Sequence, residues 1–262
     1  MIAVALHSQR LRRSLDFFAD DFSVSSTATT QGAALTGSAE ERVALPVALQ
    51  PSPSYRYGPW SRSTLIIKRL EDIVIGSLLL LLFTPVLLLI ALAIKLDSRG
   101  QVLFRQRRRG RKLRTFRCFK FRTMQDETAD YDSHIQTQRT DPRITRVGAF
   151  LRRHSLDELP QLLNVVAGSM SLCGPRPHAL GTKVGDQLLE DVNALYLSRY
   201  CVKPGITGWA QINGSRGILD TPEKLAKRVE HDLYYVANWS VKLDIFILIR
   251  TAWCLFDDED AF

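Results

Sequence analysis

Two adjacent carboxylates, Asp157 and Glu158, stand in the run Arg152-Arg153-His154-Ser155-Leu156-Asp157-Glu158-Leu159-Pro160-Gln161. An ionised carboxylate is a nucleophile at neutral pH without help from a base. The same residues carry a plain structural reading. Ser155-x-x-Glu158 ahead of an apolar run matches a capping box, but that register sets the Pro160 ring against the carbonyl of a helical Leu156. With Asp157 as the cap, Pro160 becomes the third helical residue, which a helix tolerates. On spacing alone, Asp157 reads more readily as a cap than as a reagent.

Gly174-Pro175-Arg176-Pro177 is a second unusual stretch. Each proline fixes its own φ and pushes the preceding residue out of helical geometry, so Arg176 is held on a stiff, extended backbone. A guanidinium presented that way suits fork-like binding of phosphate oxygens; the alternative is a turn with a solvent-facing arginine. Lys203-Pro204-Gly205-Ile206-Thr207-Gly208-Trp209 is rich in turn residues but is no phosphate-binding motif of known type. The histidines His7, His134, His154, His178 and His231 have no ligand spacing, so zinc is not expected. The cysteines Cys118, Cys173, Cys201 and Cys254 form no C-x-x-C and read as idle thiols of a reducing compartment.

These residues need elements to position them. The chain has 262 residues, 45% hydrophobic and 24% charged, as in an ordinary globular protein. Its net charge of +8 is uneven. In residues 1–60, Arg10, Arg12, Arg13, Arg42 and Arg56 are cancelled by Asp16, Asp20, Asp21, Glu40 and Glu41, so the surplus lies beyond them. Residues 1–64 lack periodicity, pass from a Ser/Thr/Ala/Gly-rich stretch into a proline cluster, and read as a mostly disordered tail. Their opening apolar stretch is too short for a signal peptide.

Residues 73–94 carry no charge and are mostly Leu, Ile, Val and Ala. A straight helix of that length reaches roughly 33 Å, enough to cross a hydrocarbon core of about 30 Å. Thr84-Pro85 sits at its middle, where proline removes a backbone hydrogen bond and favours a kink. Basic residues flank both ends: Arg62, Lys68 and Arg69 before, Lys95, Arg99 and Arg105 after. The positive-inside rule then places both ends in the cytoplasm, which a helix that enters, bends and returns satisfies. A kinked span with asymmetric loops is the alternative.

Residues 105–122 add Arg105, Arg107, Arg108, Arg109, Arg111, Lys112, Arg114, Arg117, Lys120 and Arg122 with no acidic residue. So close to a membrane segment, this cluster points to anionic lipid headgroups rather than nucleic acid. Residues 150–172 read as one helix. Thr221-Pro222 marks the start of another, carrying Leu225, Val229, Leu233 and Val236. Residues 239–256 are apolar but interrupted by Asp244 and Arg250, too broken to span and suited to an interface. Residues 257–262 form an acidic tail.

In chain order, Lys68-Arg69 ahead of the hydrophobic segment with Pro85, Lys120-Phe121-Arg122-Thr123-Met124, Ser155-Leu156-Asp157-Glu158-Leu159-Pro160-Gln161-Leu162, Gly174-Pro175-Arg176-Pro177 and Lys203-Pro204-Gly205-Ile206-Thr207-Gly208-Trp209 resemble the bacterial sugar transferase family, the monotopic phosphoglycosyl transferases, over about residues 65–256. The resemblance implies an α/β mixed, mostly helical fold. It would comprise a re-entrant membrane helix over 65–98 bent at Thr84 and Pro85, and a small cytoplasmic catalytic globule over 99–256 with interfacial amphipathic helices. It implies that this chain is the catalytic unit alone, at the bacterial inner membrane and facing the cytoplasm. It further implies transfer of a hexose-1-phosphate from a UDP-sugar, UDP-glucose or UDP-galactose, to polyprenyl phosphate through a covalent aspartyl-phosphosugar, initiating a surface glycan such as an exopolysaccharide. Asp157 matches the nucleophile and Glu158 its partner at Mg²⁺. Arg152 and Arg176, with Pro175 and Pro177 framing the latter, match the phosphate-binding residues. A homodimer is compatible with this reading. The rivals are a membrane-tethered nucleic-acid-binding regulator and a non-enzymatic scaffold.

Overall fold

The computed structural model describes residues 60–125, 141–193 and 195–257, all within one unit of residues 47–262. Most of the expected N-terminal tail and the acidic tail beyond 257 lie outside the described residues. The last part of that tail differs from expectation. The Trp60 indole donates to the carbonyl of Val236 at 2.9 Å, and helix α1, Arg62–Asp97, starts three residues before the expected boundary. Ser61 caps it, its hydroxyl accepting from the Thr64 amide at 3.1 Å.

Helix α1 runs without interruption through Pro85, where the Thr84 hydroxyl donates to the Leu80 carbonyl at 2.7 Å. Its composition is apolar on every side, yet its burial is one-sided. Lys68, Asp72, Gly76, Ile90 and Ile94 form a buried stripe. Leu70, Val74, Leu78, Leu81, Leu82, Leu88, Leu89, Leu92 and Leu96 stand exposed on the other side, at helical spacing. Both ends of the helix rest on the same globule. Near the start, the Arg69 guanidinium donates to the carbonyls of Val165 and Val166, each at 2.7 Å. Near the end, Ile90 and Ile94 share a core cluster with Phe121 and Leu151.

Strands β1, Leu103–Arg109, and β2, Thr115–Phe121, form an antiparallel hairpin in the register Leu103↔Phe121 to Arg109↔Thr115. The expected single helix over 150–172 is broken into three pieces: helix α2, Arg146–Arg153; a 3-10 turn, Leu156–Glu158; and helix α3, Gln161–Ala167. The break has a local cause. Ser155 takes a left-handed conformation (φ 54°, ψ 19°), and Pro160 has no amide to continue a helix from the turn. Strand β3, Ser171–Cys173, follows, then the short hairpin of β4, Lys183–Val184, and β5, Gln187–Leu188, helix α4, Leu189–Val192, and a 3-10 turn, Tyr196–Cys201. Strand β6, Gly205–Thr207, pairs in parallel with β3. Helices α5, Trp209–Ile212, α6, Pro222–Asn238, and α7, Val241–Asp257, complete a mostly helical fold with small two-stranded sheets.

Thr221 caps α6 as expected, and Leu225, Val229, Leu233 and Val236 are its buried stripe. Asp244, which interrupts the apolar pattern of α7, is fully buried and tethers α1: its Oδ2 lies 2.6 Å from the Lys68 ammonium. Lys68 also meets Asp72 Oδ1 at 2.9 Å, and Asp244 accepts from the Tyr235 hydroxyl (2.8 Å) and the Trp239 indole (3.0 Å).

Candidate active site

The chemistry-bearing residues converge on the turn between α2 and α3. Asp157 is 7% exposed within the 3-10 turn, and it caps nothing. Ser155 makes no capping bond either, and α3 opens at Pro160 without a side-chain cap. Both capping registers are thereby overturned. The broken helix releases the Asp157 and Glu158 carboxylates to face the hairpin instead.

Alternation along β2 decides what they face. Residues 116, 118 and 120 share one side of the strand, and Cys118 on that side is fully buried. Lys120 therefore points inward. Its ammonium lies 2.7 Å from Glu158 Oε1 and 3.4 Å from Asp157 Oδ2. Arg176 closes the other side of Glu158 with a bidentate contact, Nη1 to Oε2 at 2.8 Å and Nη2 to Oε1. Arg152, in the last turn of α2, is set by a bond from its Nε to the Thr123 hydroxyl at 2.8 Å.

Burial works against the charge of both carboxylates, with opposite net results. It pushes Asp157 up from its usual value, aided by the neighbouring Glu158 charge and opposed by Lys120 and Arg152. For Glu158, Arg176 and Lys120 outweigh burial and hold it well below the usual carboxylate range. Glu158 is thus the permanent anion that organises the cations, and Asp157 is the less committed of the two.

Three carbonyls of the Gly174-Pro175-Arg176-Pro177 strap are held by hydrogen bonds, and Gly208 packs closely against the fourth, that of Gly174. Pro175 O accepts from the Gly205 amide at 3.1 Å, Arg176 O from Arg199 Nη2 at 2.8 Å, and Pro177 O from Arg108 Nη1 at 2.7 Å. The two prolines are buried and frame the backbone, while the Arg176 side chain is half-buried and paired, so the solvent-facing alternative does not hold. The turn-rich segment 203–209 has its explanation here. A Cβ on Gly205 would lie 2.2 Å from the Gly174 amide nitrogen, and one on Gly208 2.3 Å from the Gly174 carbonyl oxygen. Glycine at both places lets the segment press against the strap. Behind it, Arg199 is fully buried, pairs with Asp232 and meets His178 Nδ1 at 2.8 Å. Burial and the surrounding Arg199, Arg228 and Arg108 push His178 well below its ordinary value, which keeps the ring neutral.

The basic cluster of 105–122 divides into three groups. Lys120 belongs to the site. Arg108 holds the strap, Arg109 pairs with Glu190 at 3.0 Å, Arg111 donates to Cys201 O at 3.2 Å, and Arg122 ties down the end of α1 through Ser98 O at 2.7 Å. Arg105, Arg107, Lys112, Arg114 and Arg117 face outward. Lys120 and Thr123 were not singled out as site residues from the sequence. The signal for Lys120 was the alternation of residues 115–121, read together with the family-like Lys120-Phe121-Arg122-Thr123-Met124.

Asp157 and Glu158 offer the hard carboxylate oxygens that Mg²⁺ takes, and these two residues would hold it. Among the described residues no group of three or more His, Cys, Asp or Glu side chains is placed to hold a metal by itself.

The sequence model of the family described as "Bacterial sugar transferase" matches residues 63–258. The chain is 52% identical over 209 residues to an undecaprenyl-phosphate glucose phosphotransferase of Komagataeibacter xylinus, covering 76% of this chain and 39% of that protein. It is 51% identical over 206 residues to a UDP-glucose:undecaprenyl-phosphate glucose-1-phosphate transferase of Escherichia coli (strain K12), covering 78% of this chain and 43% of that one. To the exopolysaccharide production protein PSS of Rhizobium leguminosarum bv. phaseoli it is 47% identical over 187 residues, 71% of this chain and 94% of that one. The chain thus spans about two-fifths of the length of the first two relatives.

Proposed function

The chain belongs to the bacterial sugar transferase family, and from that premise we propose that it transfers glucose-1-phosphate from UDP-glucose to undecaprenyl phosphate, with Asp157 as the nucleophile. The names of the similar proteins support donor and acceptor. The observation that carries the chemistry is a buried Asp157 carboxylate between Lys120 and Arg152, beside a Glu158 already neutralised by Arg176 and Lys120.

Phosphoryl transfer asks a protein mainly for alignment and for charge neutralisation at the phosphorus. An Asp157 carboxylate oxygen attacks the phosphorus that bears the sugar. The bond from that phosphorus to the oxygen bridging the two phosphates breaks, and the nucleoside monophosphate leaves with the bonding pair. A phosphate oxygen of the lipid acceptor then attacks the same phosphorus, and the Asp157 carboxylate is released unchanged. Lys120, Arg152 and Arg176 supply the positive field. Mg²⁺ held by Asp157 and Glu158 would add Lewis-acid neutralisation of phosphate oxygens. The positive field near Asp157 comes from these side chains, because α3 is only seven residues long.

The membrane reading rests on α1. The globule grips the helix from Lys68 to Ile94, so a helix crossing the bilayer would drag the polar partners of its buried stripe into hydrocarbon. A helix that enters and returns on one side, bent at Thr84-Pro85, keeps the globule at the headgroups and its exposed leucines in lipid. The outward arginines of the hairpin and the exposed Val241, Ile245 and Ile249 of α7 would meet the same surface, on the cytoplasmic face of the bacterial inner membrane. An exopolysaccharide pathway fits the name of the Rhizobium relative.

The test is incubation of the full chain in detergent with UDP-glucose, Mg²⁺ and undecaprenyl phosphate. UMP release that requires Asp157 supports the proposal; absence of UMP with UDP-glucose and with every other UDP-hexose overturns it.

A further inference from the structure

A cavity of about 370 Å³ lies where the start of α1 meets β3 and the segment leading into β6, lined by the cations Lys68, Arg69, Arg111 and Lys203, by the carboxylate Asp72, and by the apolar Trp60, Leu65, Ile66 and Leu70. It sits at the far end of α3 from Asp157, since Arg69 holds the last carbonyls of that helix. Three of the four cations are already engaged. Lys68 is paired with Asp72 and Asp244, Arg69 with the α3 carbonyls, and Arg111 with Cys201 O. Lys203 is half-buried with no hydrogen bond or ion pair among the described residues, and it faces the other three cations. Burial and the Arg69 charge pull its ammonium below the ordinary lysine value, against the Asp72 carboxylate, which is itself taken up by Lys68 and the Ser171 hydroxyl. An unpaired ammonium in such company is costly unless an anion joins it.

The apolar side of the cavity says which anion. Ile66 and Leu70 are 60% and 57% exposed and continue directly into the membrane-facing stripe of α1. Trp60 packs on Trp239 at 5.1 Å between ring centroids, and tryptophan is the residue enriched at the headgroup level of a bilayer. We infer that this cavity binds the phosphodiester of an anionic membrane phospholipid, with Lys203 and Arg111 on the phosphate and the acyl chains along Leu65, Ile66 and Leu70. The site fastens the start of α1 to the bilayer surface and is separate from the acceptor's place at Asp157.

The experiment uses the full chain, following tryptophan emission during titration with vesicles of phosphatidylcholine, with and without phosphatidylglycerol, and with inorganic phosphate alone. Phosphatidylglycerol shifts the emission at lower lipid concentration than phosphatidylcholine does. Lys203→Gln weakens that preference about five-fold, the effect of one cation at a lipid surface. Lys203→Arg retains it, and Lys227→Gln, which removes an equal but distant charge on α6, leaves it unchanged. Equal losses in Lys203→Gln and Lys227→Gln would reduce the effect to bulk charge and overturn the site. Saturation by inorganic phosphate alone would make it a free-anion site and also overturn the lipid assignment. A raised KM for polyprenyl phosphate in Lys203→Gln would give the cavity to the acceptor. Because the binding arms use neither donor nor acceptor, they decide the lipid site whatever the outcome for the transfer reaction.

Discussion

Asp157 and Glu158 are neighbours in sequence, yet their surroundings divide the work between them. Glu158 is the anchored charge, and Asp157 is raised by burial and by Glu158 itself. A carboxyl with a raised value stays protonated to a higher pH, so the nucleophilic form appears as pH rises through that value. The acid limb of kcat/KM for UMP release should lie above the ordinary aspartate value of about 3.9. Replacing Glu158 with Gln removes one negative neighbour and frees Lys120 for Asp157. The limb of the residual activity should then move to lower pH; a limb that stays or moves up would contradict the assignment. Arg176 acts through a fork on Glu158 that a lysine cannot reproduce. Arg176→Lys should lower kcat by about 100-fold or more, with the fold intact by circular dichroism. Ser155 holds a left-handed conformation just ahead of the dyad. Ser155→Gly should leave the chain as stable or more stable, by up to about 1 kcal/mol in thermal melts.

At the scale of elements, what could be read from the sequence depended on whether the cause was local. Thr221-Pro222 and the apolar spacing after it announced α6, because a cap, an N1 proline and a stripe are all written within one segment. The length of α1 was equally plain. Its one-sided burial was not, since leucine faces lipid and protein alike, and only contact with Val165, Phe121 and Leu151 distinguishes the two faces. The single helix expected over 150–172 failed for a similar reason: periodicity ran on through Ser155 and Pro160, while the backbone turned to aim the dyad at β2. Asp244 looked like an interruption of α7 and is the buried tether of Lys68. Lys68→Met would leave Asp72 and Asp244 buried without their cation, and should cost about 3–5 kcal/mol in denaturation of the detergent-solubilised chain. If α1 enters and returns, cysteines placed at Ser61 and Ser98, the residues that bound it, should be labelled from the same side of sealed vesicles. Labelling from opposite sides would contradict it.

For the whole molecule, the motifs that looked separate in sequence meet around one strap. Lys120 of the hairpin, the Asp157-Glu158 turn and Gly174-Pro175-Arg176-Pro177 form the candidate site, and the glycines of 203–209 let that segment press against the strap. On spacing alone Asp157 read as a cap and Arg176 was left open, and only the ordered set of family-like motifs put the dyad and Arg176 together. Lys120 was hidden among ten basic residues, and only strand register separates it from the arginines that face outward. Whether Asp157 carries the sugar-phosphate is decided by intact-protein mass spectrometry with UDP-glucose and Mg²⁺ in the absence of acceptor. A covalent intermediate gives a mass increase of one hexose-phosphate that maps to the peptide containing Asp157, disappears on addition of polyprenyl phosphate and is absent from a folded Asp157→Asn variant. UMP release with no covalent adduct, or an adduct that persists in Asp157→Asn, would contradict it.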